Sequence, residues 1–236
     1  MLKIFVVFHK KIFDECYENV PQELLDKYFT FVAVNKDIPK TYTKGKYNVI
    51  NEWELVNYDD EFQKRGYNEN SVIYHVIKNG LHKNHKYIGF FQYDMVFTEN
   101  SVNTILNEMN SKPTCFYLSA HNYKYCAFDT CNELPTMKFL SMSYEMFYDK
   151  AFTHSEKDEY PLFNSYVIPI DTYEKIMEWV ITLYTSIENK LQQKHFGHVG
   201  GIFERVMAFA VGEEKLRMIK LEIEHDHFYK NNLSEA

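Results

Sequence analysis

The sequence predicts an α/β fold in which helices flank a mostly parallel, Rossmann-like central sheet. One observation is a strand, helix and strand succession at the N-terminus: apolar runs at 3–8 and 29–34 flank a helical segment. Parallel strands need such a crossover, which is right-handed in nearly all proteins. The other is the run Ile-Gly-Phe-Phe-Gln-Tyr-Asp at 88–94, whose nearly continuous apolar start is typical of a strand buried on both faces.

Later segments extend this alternation. Residues 14–28 have a helical pattern interrupted by Pro21, and 71–79 predict a helix that Gly80 ends. Region 123–160 has no clear period and is predicted to hold short strands and loops. The remaining expected elements are a helix from Asn100 to about Asn110, a strand at 114–120, a strand at 163–170, a helix from Thr172 toward Leu191, a helix at 202–211 ended by Gly212, and a strand at 216–223.

Composition narrows the classes of function. The net charge of −7 and pI of about 5.8 argue against a general nucleic-acid binder, which needs a basic face. No run of 18 apolar residues occurs, so no membrane span is expected. The four cysteines fit neither a zinc pattern nor a disulfide framework, which predicts a cytoplasmic protein. Abundant Lys, Tyr and Phe with three Arg indicate an AT-rich genome, such as that of a low-GC bacterium or a large DNA virus.

The triplet Gln92-Tyr93-Asp94 ends the apolar run at 88–91. A carboxylate there is costly to bury unless it meets a cation or a hydrogen-bond donor. Ligands of open α/β sheets bind outside the carboxyl ends of the strands. Asp94 is therefore the first candidate site residue, although a turn cap or a partner of a nearby Lys would fit the pattern equally well.

Other polar residues follow the predicted strands at the same edge of the sheet and would line a nucleotide pocket there. A Lys would meet phosphate and an Asp would meet ribose or base. These candidates are His9 and Lys10 after the first strand, Asn35 and Asp37 after the second, and Arg65 in a loop before the next helix.

The C-terminal segment His225-Asp226-His227 follows the last predicted strand. Alternate residues of a strand share a face, so the two imidazoles would lie together. Imidazole is a suitable ligand for Mn²⁺ or Zn²⁺. The alternative is a solvated polar strand end without a ligand.

Glu204 follows Gly200-Gly201, where a loop without side chains approaches a ligand closely before a helix begins. In the first turn of that helix a carboxylate is favoured by the helix dipole, and Glu204 could act as a general base toward a hydroxyl. The alternative is a structural carboxylate paired with Arg205 or Lys194.

The order of these pieces resembles the A-type fold of glycosyltransferases, in which a strand ends in an Asp-any-Asp motif. Phe90 to Phe97 stands at that position, with Gln92 in place of the first Asp. The chain is similar in particular to glycosyltransferase-like domains of bacterial capsular polysaccharide synthesis and of large DNA viruses. The stretches that carry this resemblance are Val7-Phe8-His9-Lys10, Ile77-Lys78-Asn79, Tyr87 to Tyr93, Phe163-Asn164 to Trp179, and Gly201-Ile202-Phe203-Glu204-Arg205.

The resemblance implies a single domain over residues 1–236, with a nucleotide-sugar donor half at 1–112, an acceptor half at 113–228 and a frayed tail at 229–236. It implies transfer of a hexosyl or deoxyhexosyl group from a nucleotide-sugar to a glycan hydroxyl. Gln92, Tyr93 and Asp94 would line the donor site. Mn²⁺ or Mg²⁺, held by Asp94 with His225 or His227, would neutralise the leaving diphosphate. Glu204 or Asp158 would be the base.

Two alternatives remain at this stage. Gln92 in the metal motif would suit a catalytically silent nucleotide- or glycan-binding protein of the same fold. A nucleotidyltransferase shares the broad fold, but it usually carries a Gly-rich phosphate loop after the first strand, and residues 8–14 contain no Gly.

Overall fold

The computed structural model describes residues 1–34, 36, 45–64, 69–122, 134–153, 159–191 and 199–225. Seven strands form one sheet in the order β3-β2-β1-β4-β8-β5-β9, and β6 pairs with β7 in a separate two-stranded ribbon. The strands are β1 (Leu2–Phe8), β2 (Phe29–Ala33), β3 (Val49–Asn51), β4 (Tyr87–Gln92), β5 (Thr114–Tyr117), β6 (Ala120–Asn122), β7 (Glu159–Pro161), β8 (Tyr166–Pro169) and β9 (Arg217–Lys220).

The sheet is mostly parallel, as predicted. The pairs β1–β2, β1–β4, β2–β3 and β5–β9 are parallel, whereas β8 runs antiparallel to both β4 and β5. The described helices are α1 (Gln22–Tyr28), α2 (Glu61–Lys64), α3 (Glu69–Lys78), α4 (Glu99–Glu108), α5 (Leu134–Tyr148), α6 (Ile170–Leu191) and α7 (Val199–Glu213), with short 3-10 turns at Asp14–Cys16 and Glu52–Glu54. None of the helices in the described ranges is long and apolar enough to cross a membrane.

Helices cover both faces of the sheet, which makes two hydrophobic cores. The adjacent residues Phe90 and Phe91 of β4 alternate between them, as neighbours on a strand must. One core contains residues of α3, α6 and α7, and the other contains residues of α1 and α4. A Cβ at Gly89 would lie 2.8 Å from Val167 Cγ2, so the absence of a side chain permits β4 and β8 to pack closely.

The region 123–160 differs from its prediction. It contains α5 as well as the start of β7, whereas the sequence predicted short strands and loops. The physical reason is that α5 is apolar on more than one side: Leu140 and Tyr144 are buried, while Met142 and Met146 are exposed. An apolar pattern all round the helix removes the one-sided period by which a surface helix is recognised.

Several element ends also differ. β8 begins at Tyr166 rather than at residue 163, because Phe163 and Asn164 adopt positive φ angles of 63° and 48°. α7 begins at Val199, within the stretch predicted to be a loop, and Gly212 lies inside it. β9 ends at Lys220, so His225 is not part of that strand.

Candidate functional site

The candidate site lies at the carboxyl edge of the sheet, where β1 and β4 end side by side. Val7 of β1 pairs with Gln92 of β4 in parallel register. Continuing that register by two residues puts His9 level with Asp94. The sheet therefore brings the polar ends of β1 and β4 to one edge, where ligands of such sheets bind.

The turn Phe163–Asn164 joins three of the predicted site residues. Its Phe163 carbonyl accepts hydrogen bonds from Gln92 Nε2 at 3.3 Å and from Ser165 Oγ at 2.7 Å. The Phe163 ring lies 5.0 Å from the ring of His225, centroid to centroid. The Phe163 backbone also hydrogen-bonds the Glu204 carboxylate. Residues 92, 204 and 225 are thus connected through one turn.

Gln92 has a task in this turn that a carboxylate cannot perform. Its Nε2 donates to a carbonyl oxygen, and an ionised Asp has no hydrogen to donate. The hydrogen bond of Gln92 to the neighbouring turn is therefore one that the first Asp of an Asp-any-Asp pattern would not make. The side-chain oxygen of Gln92 remains an acceptor for other contacts.

Glu204 is held differently from the prediction. It is the sixth residue of α7, in the second turn, so the helix dipole at the first turn is not what stabilises it. Burial raises the pKa of Glu204, the positive charge of Arg205 and the Phe163 backbone hydrogen bond oppose that rise, and the negative charge of Glu69 adds to it. A half-buried carboxyl with a raised pKa is a stronger base than an exposed one.

Two buried polar side chains beside Glu204 lack partners among the described residues. Neither Nδ2 nor Oδ1 of Asn164 has a hydrogen-bond partner there, and the Tyr166 hydroxyl has none. Burial raises the pKa of that hydroxyl, and the charges of Cys115 and Glu204 raise it further. Tyr166 and Glu204 are therefore close in space.

The start of α3 completes this side of the site. His9 Nε2 lies 3.5 Å from Glu69 Oε1, which ties the end of β1 to the first residue of the helix. Asn70 Nδ2 donates to the Gly200 carbonyl at 3.0 Å and so joins α3 to the first turn of α7. Gly200 thus supports a contact between two helices, within the stretch that was predicted to be a loop.

Tyr93 packs against the core that contains residues of α1 and α4. Its ring stacks on Phe13 with centroids 5.5 Å apart, and the Tyr17 hydroxyl donates to its carbonyl at 3.3 Å. The His9 ring meets it edge-on at 6.1 Å. Lys10, the next residue of the chain, is exposed at the same edge.

Asp94 is 5% exposed and lies just past the end of β4. Burial raises the pKa of the Cys16 thiol to about 12, and the negative charge of Asp94 adds to that effect, which places the carboxylate near Cys16. The Val96 N–H donates to the Glu224 carbonyl at 2.8 Å, so the segment that contains His225 runs beside the segment that contains Asp94.

The predicted metal site depends on ligands from the segments that contain Asp94 and His225. In the part of the chain that the structure describes, no group of three or more His, Cys, Asp and Glu side chains is arranged to hold a metal ion. The segments that contain Asp94 and His225 are paired through Val96 and Glu224. Mg²⁺ commonly takes only one or two protein carboxylates and completes its shell with phosphate and water, so Asp94 would suit a metal bound together with a diphosphate, with His225 as a second ligand.

Five predicted site residues lie outside the described residues: Asn35, Asp37, Arg65, Asp158 and His227. Their predicted roles stay predictions. The sequence analysis missed Glu69 and the Asn164–Tyr166 pair. A signal for the turn was present in Leu162-Phe163-Asn164-Ser165, since Asn tolerates the left-handed conformation and Ser favours turns, but the apolar residues around it indicated a strand.

No family model and no curated protein matches this sequence. Among solved structures, the apo structure of the bifunctional glycosyltransferase WbbM covers 95% of this chain with a TM-score of 0.60 and 13% identity, and the chain spans 45% of that protein. A galactosyltransferase, LgtC, solved with donor and acceptor sugar analogs, covers 92% of this chain and 73% of its own length at a TM-score of 0.45 and 9% identity. A nucleoside-diphosphate-sugar pyrophosphorylase from Vibrio cholerae has a TM-score of 0.35 and 10% identity. That match covers 98% of this chain and the full length of the pyrophosphorylase.

At such low identity the likeness concerns the fold, and only the first of these structures is similar enough to carry it. The chain has a mixed α/β fold whose mostly parallel seven-stranded sheet is flanked by helices, like that of WbbM. The A-type glycosyltransferase fold expected from the sequence is therefore confirmed.

Proposed function

We propose that this protein is a glycosyltransferase, which moves a hexosyl or deoxyhexosyl group from a nucleotide-sugar donor to a glycan hydroxyl. The observation that carries the proposal is the Phe163–Asn164 turn, through which Gln92, Glu204 and His225 are joined at the carboxyl edge of a glycosyltransferase-like sheet. The bifunctional glycosyltransferase with the same fold supports it.

Each group has a task in such a transfer. The leaving diphosphate would lie near Asp94, where a divalent ion held by Asp94 and His225 would neutralise its charge. Glu204 lies on the opposite helix layer, and its raised pKa suits removal of a proton from an acceptor hydroxyl. Tyr93, His9 and Asn164 would hold and orient the two substrates, which is a large part of the acceleration in such transfers.

The donor site is tested by thermal shift with a panel of sugar nucleotides and of UDP and GDP, each with Mn²⁺ and with a chelator. A ligand at a hundred times its Kd adds about 2.7 kcal/mol of stability, or about 5–10 °C for a chain of this size. We expect such a shift for at least one nucleotide with Mn²⁺, and its loss in Asp94→Ala. Asp26→Ala, which removes an exposed carboxylate on α1, is the matched control.

The outcomes separate the parts of the proposal. Equal stabilisation with Mn²⁺ and with chelator would show that the donor binds without metal and that Asp94 is not its ligand. Stabilisation without release or transfer of sugar, in the presence of candidate glycans, would favour the catalytically silent binding protein. No shift with any nucleotide would contradict the proposed function itself.

A further inference from the structure

We propose that the Asn164 side chain binds two neighbouring hydroxyl groups of a substrate sugar and so selects the sugar that the site accepts. This inference rests on the proposed function, and it assigns a specificity-determining role to a residue for which the sequence suggested none. It is carried by the burial of Asn164, by the rigidity of its turn and by the chemistry of its free amide.

The amide of Asn164 is buried without compensation. The residue is 2% exposed, and neither its donor nor its acceptor atom has a hydrogen-bond partner among the described residues. Leaving a buried polar group unpaired costs about 1–3 kcal/mol. The large majority of buried side-chain polar atoms in proteins are paired, so an unpaired carboxamide in the turn of a candidate site indicates a partner that arrives with the substrate.

The backbone does not explain the choice of Asn. Phe163 and Asn164 both have positive φ, a conformation that Asn tolerates and that Gly adopts at no steric cost. A turn that needed only this conformation would be served as well by Gly, which buries no polar atoms. The backbone conformation of the turn therefore does not offset the free-energy cost of burying the Asn164 amide.

The turn holds Asn164 in a fixed place. Gln92 and Ser165 bind the preceding carbonyl, and Glu204 accepts from the preceding residue's backbone. On the other side, the Ser165 N–H donates to the Leu162 carbonyl at 3.3 Å. A side chain fixed in this way does not need to be ordered when a ligand binds, which favours affinity and selectivity.

The chemistry of the amide identifies its ligand. A carboxamide has an acceptor oxygen and a donor nitrogen side by side, and a hydroxyl both donates and accepts. Two hydroxyls on neighbouring carbons of a pyranose can satisfy both amide atoms at once. The Tyr166 hydroxyl, which has no partner among the described residues, and the Glu204 carboxylate, which the Phe163 backbone binds, would add further partners for a polyhydroxylated ligand. Either the donor sugar or the acceptor sugar presents such a pair.

The test compares Asn164→Gly with Asn84→Gly. Both replace an Asn of positive φ by Gly, so both keep the backbone conformation. Asn84 is exposed and lies between α3 and β4, at the opposite edge of the sheet, which makes it the matched control. Kinetics use the sugar nucleotide that stabilises the wild type, and they measure hydrolysis of the donor alone and transfer to an acceptor glycan.

We expect Asn164→Gly to lower kcat/KM at least about tenfold, because two hydrogen bonds to substrate are lost. Its melting temperature without ligand should stay equal or rise, since an uncompensated polar group has been removed. A loss in donor hydrolysis would assign the hydroxyls to the donor sugar, and a loss confined to the KM of the acceptor would assign them to the acceptor sugar. Asn164→Asp, which keeps the left-handed preference but removes the amide donor, should also lose activity.

Two results would overturn this inference. One is a wild type that turns over its donor while Asn164→Gly matches Asn84→Gly in every kinetic constant, which leaves the glycosyltransferase function standing. The other is a clear fall in melting temperature with kinetic constants unchanged for the folded protein, which would make Asn164 structural. A wild type that neither binds nor cleaves any sugar nucleotide would contradict the proposed function, and this inference with it.

Discussion

Glu52 and Glu204 are both withdrawn from solvent, yet their surroundings differ. Glu52 is 1% exposed and accepts hydrogen bonds from the Ser71 hydroxyl and from His75 Nδ1, the latter at 2.8 Å. His75 Nε2 in turn accepts from the Asp59 N–H at 2.9 Å, so the neutral ring carries its hydrogen on Nδ1. This carboxylate, the α3 helix and the loop before α2 form one paired network.

Glu204 lies among groups that are less well paired. Burial is the first cause of its raised pKa, the Phe163 backbone provides a hydrogen bond, and Glu69 adds a like charge. Beside it, the Asn164 amide and the Tyr166 hydroxyl have no partner within the described ranges.

The contrast between Glu52 and Glu204 helps to distinguish buried polar groups that stabilise the fold from buried polar groups that serve a function. A fully satisfied network makes a unique, rigid local structure, whereas a partly satisfied one at a sheet edge costs stability and is retained where ligands supply the missing partners. By this criterion we expect Glu52 to stabilise the fold and Glu204 to belong to the candidate site. Three predictions test that assignment.

The largest effect is expected for Glu52→Ala. Without the carboxylate, the Ser71 hydroxyl and the His75 Nδ1–H stay buried without an acceptor, at about 1–3 kcal/mol each, which for a chain of this length lowers the melting temperature by about 10 °C. Glu54→Ala, an exposed carboxylate of the same 3-10 turn, should change it little. Thermal unfolding of the two variants decides the point, and equal melting temperatures would show that the network around Glu52 contributes nothing to stability.

The next effect is expected for Glu204→Gln. The amide keeps the size and the acceptor for the Phe163 N–H but removes basicity, so turnover should fall about 10²-fold or more while donor affinity stays near that of the wild type and the melting temperature does not fall. Glu178→Gln, an exposed residue of α6, is the control. If turnover persists and the melting temperature falls, Glu204 is a structural residue and the base is another group.

The smallest effect concerns pH. A Glu whose pKa is raised by folding contributes stability that is fully present below its ordinary pKa of about 4.5 and is lost as pH rises through the folded value. The wild type should therefore lose stability relative to Glu204→Gln as pH rises from about 4 toward neutrality. Denaturant unfolding of both proteins across this range measures it, and a constant difference would mean that folding leaves this pKa unchanged.

The sequence foretold the parts of the fold that depend on local pattern. The apolar runs at 3–8, 29–34 and 88–91 became β1, β2 and β4, and the parallel pairing of β1 with β2 followed from the crossover between them. The sequence did not predict α5, because that helix is apolar on more than one side and has no single buried stripe. The roles of the candidate site residues stay predictions, although continuing the β1–β4 register puts His9 level with Asp94.

By itself, then, the sequence determined most strands of the central sheet, the fold class and the edge at which polar residues collect, since hydrophobic periodicity and the geometry of parallel strands act over short stretches. Only the tertiary structure decided which of those residues meet. Gln92, Phe163, Glu204 and His225 are separated along the chain by at least 21 residues, and their contacts depend on packing that no local pattern encodes. The same packing buries the Asn164 amide without a partner, and this turned an apparent strand residue into the most informative side chain of the site.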